Sequence, residues 1–93
     1  MELGRVVKSI KGRDQGKTYI IWKVLDKDFI LVVDGNKRLI ASPKKKRIKH
    51  IEYLDYRLDN IGVKIQSGQK VFDSEIYSNL KKIQNTDLMN GGK

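Results

Sequence analysis

Two stretches of this chain carry side chains dense enough to do chemistry. "KGRDQGK", Lys11 to Lys17, sets three cations and two glycines around one carboxylate. "SPKKKRIKH", Ser42 to His50, places five lysine and arginine side chains within nine residues. Both suit the gripping of phosphate. Lysine and arginine neutralise phosphate oxygens and release condensed counterions, and glycine lets a backbone come close where a side chain would intrude. The second stretch also matches a short nuclear-import signal, a pattern found in many proteins without that role. Bond-making chemistry has little to work with. There is no cysteine, no G-x-S-x-G elbow and no G-x-x-x-x-G-K-[ST] phosphate loop. His50 is the only histidine and has no partner at metal-ligand spacing, while Asp26 and Asp28 lie two apart in a turn-like stretch. The expectation is a protein without catalytic residues, metal or cofactor.

The charge is divided unevenly. The 93 residues carry a net charge of +9, yet residues 1–50 hold 14 lysines and arginines against five acids, and residues 51–93 hold six of each. An excess confined to one half points to a face built for a polyanion, and nucleic acid is the leading partner. An anionic membrane is the weaker alternative, because no basic amphipathic helix occurs in the first half. The length fits one small domain, only slightly above the roughly 70–80 residues below which scaffolds usually need staples. Without cysteine there are no disulfides or thiolate metal sites, which suits a reducing compartment. No apolar run reaches the roughly 18 residues of a membrane span. These features predict a soluble, cytoplasmic monomer without membrane contact.

The elements that must hold the two basic stretches follow from hydrophobic period. Arg5–Ile10, Thr18–Leu25 and Phe29–Val33 are rich in β-branched and aromatic residues, as half-buried strands are. Asp34-Gly35-Asn36 supplies hairpin chemistry, and Arg38–Ala41 and Ile48–Ile51 read as two further short strands, with the basic run as a loop between them. Five short strands in about 50 residues predict a small closed barrel. The second half changes period. Leu58, Ile61 and Ile65 fall on one helix face, Gly68 offers a left-handed stop, and Asp73 reads as the N-cap of a helix carrying Ile76, Leu80 and Ile83. From Asn85 the chain is polar and ends "NGGK". The expected organisation is a barrel over residues 1–52, a helical extension of the same domain over 53–84, and a flexible tail over 85–93.

"GRVVKSIKGRDQGKTYIIW", Gly4 to Trp22, resembles the KOW motif, a strand–loop–strand element of ribosomal proteins and transcription elongation factors. The likeness lies in Val6, Val7 and Ile10, the basic loop, Gly12, Gly16 and the apolar strand that follows. Together with "FILVVDG" and "PKKKRIKH", it resembles the KOW-bearing large-subunit ribosomal proteins of archaea and eukaryotes numbered fourteen, six and twenty-seven, and their small bacterial relatives. The resemblance covers about residues 3–52. It implies an SH3-like barrel that binds RNA, above all ribosomal RNA, through the loop after the first strand. With the two short C-terminal helices read from period packed on that barrel, the expected fold is mainly β with α. Gln15 departs from the pattern, standing where lysine is common.

On that reading the loop contacts are Lys11, Gly12, Arg13, Asp14, Gly16 and Lys17, with Lys8 on the strand leading in. A second set, Lys44, Lys45, Lys46, Arg47 and Lys49, forms the other side of a clamp, extended by Lys37 and Arg38 at the Asp-Gly turn. Tyr19 and Trp22 could stack on bases, although Trp22 in so small a barrel reads as core. Tyr53 and Tyr56 are expected to join barrel to helices. The expected function is that of a ribosomal or ribosome-associated RNA-binding protein, with ribosomal proteins as possible neighbours. The alternative is a KOW-type adaptor that docks proteins of the transcription or translation machinery through the neutral helical half.

Overall fold

Two aspartates, one in each of two tight turns, set the course of the first half of the chain. The computed structural model describes residues 2–91, with side chains to Gln84. Strands β1 (Arg5–Ser9), β2 (Thr18–Val24) and β3 (Phe29–Val33) form an antiparallel meander. Asp26 closes the β2–β3 turn by accepting the amides of Asp28 and Phe29 through Oδ1, both at 2.8 Å. Those two amides hold its carboxyl below the usual carboxylate range, so this acid shapes a turn. Asp34 does the same after β3, accepting the amides of Asn36 and Arg38.

The fourth strand differs from the expectation. Arg38–Ala41 is not a strand, because carboxylates rather than a neighbouring ladder take up its amides: Arg38 bonds to Asp34, and Ile40 to Asp73 at 2.8 Å. Instead the basic run is itself β4 (Lys44–Arg47), paired with β3 so that Arg47 faces Phe29 and Lys45 faces Leu31. The fifth strand also differs. Ile48–His50, expected within a strand over Ile48–Ile51, forms one 3₁₀ turn, and β5 (Ile51–Arg57) runs instead into the start of the expected helical extension, pairing with β1.

The sheet order is β4-β3-β2-β1-β5. Its two outermost strands are therefore consecutive in the chain and joined by a connection spanning only about 6 Å. The sheet has to roll up to let them meet. Register shifts within β2 (between Ile21 and Lys23) and β1 (between Arg5 and Val7) assist, since a bulge bends a strand and deepens its twist. The result is an SH3-like barrel.

Both faces of the rolled sheet are covered. Val7, Tyr19, Ile21, Ile30, Val32 and Ile51 fill the interior. Their neighbours Val6, Ile20 and Val33 point outward and pack under Ile61, Ile76 and Leu80 of two helices and under Leu58 and Val71 from the segments that precede them. Double coverage explains why "YII" in β2 is apolar at every position rather than at alternate ones. Trp22 is half-buried against this outer layer, so it is core, but of the helix–sheet interface. Tyr56 packs there too, whereas Tyr53 remains exposed beneath the Arg5 guanidinium.

Helix α1 (Asp59–Ser67) ends at Gly68, which adopts φ +76° as a left-handed cap should. Helix α2 (Asp73–Gly91) starts differently from the sequence reading. Phe72 acts as the cap: its carbonyl accepts from Glu75 and Ile76, and its own amide bonds back to Glu75 Oε2 at 3.0 Å. Asp73 is thereby free to hold the Ile40 amide and anchor the loop after β3. Glu75 also takes Lys64 Nζ at 2.9 Å, tying α1 to α2. The backbone stays helical to Gly91, further than the apolar pattern ending at Ile83 suggests.

Helix α1 lies against the chain entering β1. Leu58 N–H donates to Gly4 O at 2.9 Å, and a side chain at Gly62 would sit 2.7 Å from the Leu3 carbonyl oxygen. Gly62→Ala is expected to lower stability by about 1–3 kcal/mol through forced separation of α1 from the sheet. Urea titration should show a lower midpoint with an unchanged slope, while Val63→Ala, at a 61% exposed neighbour, shifts the midpoint negligibly.

Candidate nucleic-acid interface

The β1–β2 loop is closed by its own backbone. Gly16 N–H donates to Ser9 O at 2.8 Å, Ser9 N–H to Lys17 O at 2.9 Å, and Lys17 N–H to Asp14 O at 2.9 Å. This path requires Gly12 and Gly16 at φ +93°, where a Cβ is strained. Among the described residues other than Gly16 and its two chain neighbours, no atom lies within 4 Å of where a Gly16 Cβ would be, so conformation and not packing calls for glycine there.

Asp14 is turned inward. Its carboxylate accepts Ser9 Oγ at 2.8 Å, Tyr19 Oη at 2.7 Å and Lys46 Nζ at 2.7 Å, and lies 3.8 Å from Lys44 Nζ. Lys46 also donates to Lys11 O at 3.2 Å. Burial pushes the Asp14 carboxyl up, but hydrogen bonds from Lys46, Tyr19 and Ser9 outweigh it and hold the acid well below the usual carboxylate range. Burial, reinforced by the negative Asp14, pushes the Tyr19 phenol well above its ordinary value, so it stays a donor. The sequence reading counts Asp14 and Lys46 among the outward contacts. The structure buries both, at 7% and 8% exposure, and pairs them with each other. Tyr19, at 2% exposure, has no face open for a base.

Strand geometry then divides the basic run. Successive side chains on β4 point to opposite sides. Lys44 and Lys46 turn toward the β1–β2 loop. Lys45 and Arg47 turn outward and flank Phe29, with Nζ 4.5 Å and Cζ 4.8 Å from its ring centroid. A hydrogen-bonded strand is also a different object from the flexible segment that import signals usually occupy. Lys49 is exposed on the 3₁₀ turn. His50 beside it is held below its ordinary value by partial burial and by the cations Lys11, Lys49, Arg47 and Lys46, so it is neutral at pH 7.

Around the loop, Lys8, Lys11, Arg13 and Lys17 are exposed, as are Gly12 and Gly16. The structure thus brings the loop and β4 together through a buried ion pair, with two sets of exposed cations on either side. Lys37 and Arg38 lie on the turn after β3, where Lys37 lines a groove shared with α2. Phe29, the platform under Lys45 and Arg47, was not anticipated; only its register opposite Arg47 reveals it. Among the described residues, no group of three His, Asp or Glu stands where it could hold a metal ion, and no helix is long and apolar enough to cross a membrane.

A rolled five-stranded sheet with a glycine-bracketed basic β1–β2 loop and helices on its outer face defines a KOW-type SH3-like barrel protein. No family model matches the sequence. Among curated proteins, large ribosomal subunit protein eL14 of Aeropyrum pernix is 32% identical over 90 residues, aligning 96% of this chain with 82% of that protein. The eL14 of Saccharolobus solfataricus is 30% identical over 89 residues, covering 96% of this chain and 85% of its own. That of Methanococcus maripaludis strain C6 is 41% identical over 61 residues, covering 63% and 70%. The chain belongs to the eL14 family of large ribosomal subunit proteins.

The lowered pKa of Asp14 fixes the sign of a pH effect. A carboxyl more acidic folded than unfolded stabilises the fold fully above about pH 4–5, and that contribution fades as pH falls. Asp14→Ala is expected to cost about 3–5 kcal/mol at pH 7, because Lys46 is left buried and unpaired. It should also remove part of the acid sensitivity seen in urea titrations at pH 3 and pH 7. Asp14→Leu combined with Lys46→Met should recover most of the loss; if the double variant is as unstable as Asp14→Ala, the ion pair is not the cause.

Proposed function

We propose that this protein is a structural component of the large ribosomal subunit that grips ribosomal RNA through the exposed cations of the β1–β2 loop and β4. One observation carries the reading. The only carboxylate of the loop is turned inward, leaving Lys11, Arg13 and Lys17 as the charge the loop presents. Lys8 extends this rim on one side, and Lys45, Arg47 and Lys49 on the other. The open space over Gly16 leaves room for a sugar–phosphate backbone to approach the loop closely. Family membership supports the same assignment, since the relatives are named as proteins of the large subunit. The role is binding, without chemistry on the RNA, at the ribosome in the cytoplasm and as a monomer.

Shape would supply most of the selectivity, because the major groove of A-form RNA is too narrow for side chains to read. Lys46 contributes stability and little direct affinity, since Asp14 already neutralises it.

Affinity for ribosomal RNA should fall steeply with salt, with a log–log slope of about −3 to −5 if roughly five or six phosphates are neutralised. Lys45→Ala with Arg47→Ala should flatten that slope by about one to two. Lys46→Met should lower the unfolding midpoint yet leave the slope of the folded protein unchanged. A slope that responds to Lys46 and not to Lys45 and Arg47 contradicts the assignment.

In a sucrose gradient of cell extract, the protein should travel with the large subunit and leave it at about 1 M salt, where the Debye length shrinks to about 3 Å. Absence from ribosomal fractions, with recovery on RNA polymerase from nuclease-treated extract, would replace this reading with the adaptor.

A further inference from the structure

The basic rim does not end at the loop. On the helix side it opens into a groove of about 390 Å³, within the range that small-ligand sites occupy. Its walls come from three elements: Gly16 to Thr18 at the end of the loop, Asp34 to Lys37 on the turn after β3, and Tyr77, Leu80, Lys81 and Gln84 along α2. The α2 residues are spaced i, i+3, i+4 and i+7, so they form one continuous face. We propose that this groove is a second RNA contact, one that takes a single unstacked nucleotide. Its base lies on Tyr77 and its flanking phosphates meet Lys17, Lys37 and Lys81.

Three features carry the assignment. The first is charge: each wall contributes one lysine, and the single acid among them, Asp34, has an oxygen engaged by the amides of Asn36 and Arg38. Lys8, exposed and in register with Thr18 on β2, adds a further cation at the rim. The second is the aromatic surface. Tyr77 is 39% exposed, with Lys81 Nζ 5.7 Å from its ring centroid, a pairing that serves a base and its phosphate together. Asn36 and Gln84 supply amides suited to a base edge or a ribose 2′-hydroxyl. The third is rigidity. Gly35, at φ +76°, packs so tightly on α2 that a Cβ would collide with Asp73 O and crowd the Tyr77 amide, and Asp73 holds the Ile40 amide from the other side. The groove is preformed and loses little freedom on filling.

This inference rests on the RNA-binding reading and extends it to a bulged or looped nucleotide beside the helix gripped by the rim. The test uses the full chain and a short oligoadenylate, with amide shifts followed by NMR. Shifts should concentrate at Gly16, Lys17, Asn36, Lys37 and Tyr77 to Gln84. Tyr77→Leu should weaken the oligonucleotide about fivefold or more, the low end of base–aromatic stacking, without altering the salt slope. Lys81→Glu, on the exposed surface, should weaken it also and change the slope; it serves where Tyr77→Leu fails to fold. If Lys45→Ala with Arg47→Ala impairs RNA binding while Tyr77→Leu and Lys81→Glu do not, the groove proposal is overturned and the RNA-binding reading survives. If inorganic phosphate reproduces the shifts and Tyr77→Leu is silent, the groove is a phosphate site and the base contact is refuted. If no RNA binds at any salt concentration, both readings fail.

Discussion

The buried contact between Asp14 and Lys46 is the interaction on which the arrangement of the surface depends. Removing two charges from water costs several kcal/mol each, and only close geometry with further hydrogen bonds offsets it. Here Ser9 and Tyr19 donate to the same carboxylate, and the Lys11 carbonyl takes a second ammonium proton. The pair joins the β1–β2 loop to β4 across the rolled sheet, so it fixes where the loop stands relative to the edge strand. It also removes one negative charge from a loop that would otherwise set a carboxylate among its cations. A single interaction thus serves both the geometry of the rim and its sign.

That contact has a topological precondition. β4 and β5 lie at opposite ends of the sheet order and are adjacent in sequence, and the 3₁₀ turn between them is too short to bridge an open sheet. Rolling the sheet brings β4 over the loop and turns alternate lysines inward and outward. The helices then cover the outer face. Their packing follows from small residues at contact points: Gly62 lets α1 lie on the chain entering β1, and Gly35 lets the turn after β3 lie on the start of α2. The second of these sets Lys37 and Lys81 on walls of one groove, so the neutral half of the chain contributes a cation to it.

Much of the fold was legible in the residues. The first three strands, the Asp-Gly turn, the left-handed stop at Gly68 and the two helical stripes all rest on local chemistry, which a linear reading can detect. The misreadings share a cause. Arg38–Ala41 looks like a strand until Asp34 and Asp73 take its amides, and Asp73 looks like a cap until Phe72 and Glu75 fill that role. Lys44–Arg47 looks like a loop because four consecutive cations give no alternation of polarity. In each case a partner distant in sequence, or equal polarity on both faces, decided the outcome.

By itself the sequence determined the charge asymmetry, the glycine-bracketed loop and the order of apolar segments, because these follow from side-chain type and near-neighbour spacing. Tertiary structure alone decided which cations face solvent. Lys46 and Lys45 are chemically identical and adjacent, yet one is buried on Asp14 and the other lies over Phe29. The difference arises from the two-residue period of a strand laid against a curved sheet, which separates side chains that a string of letters presents as one cluster.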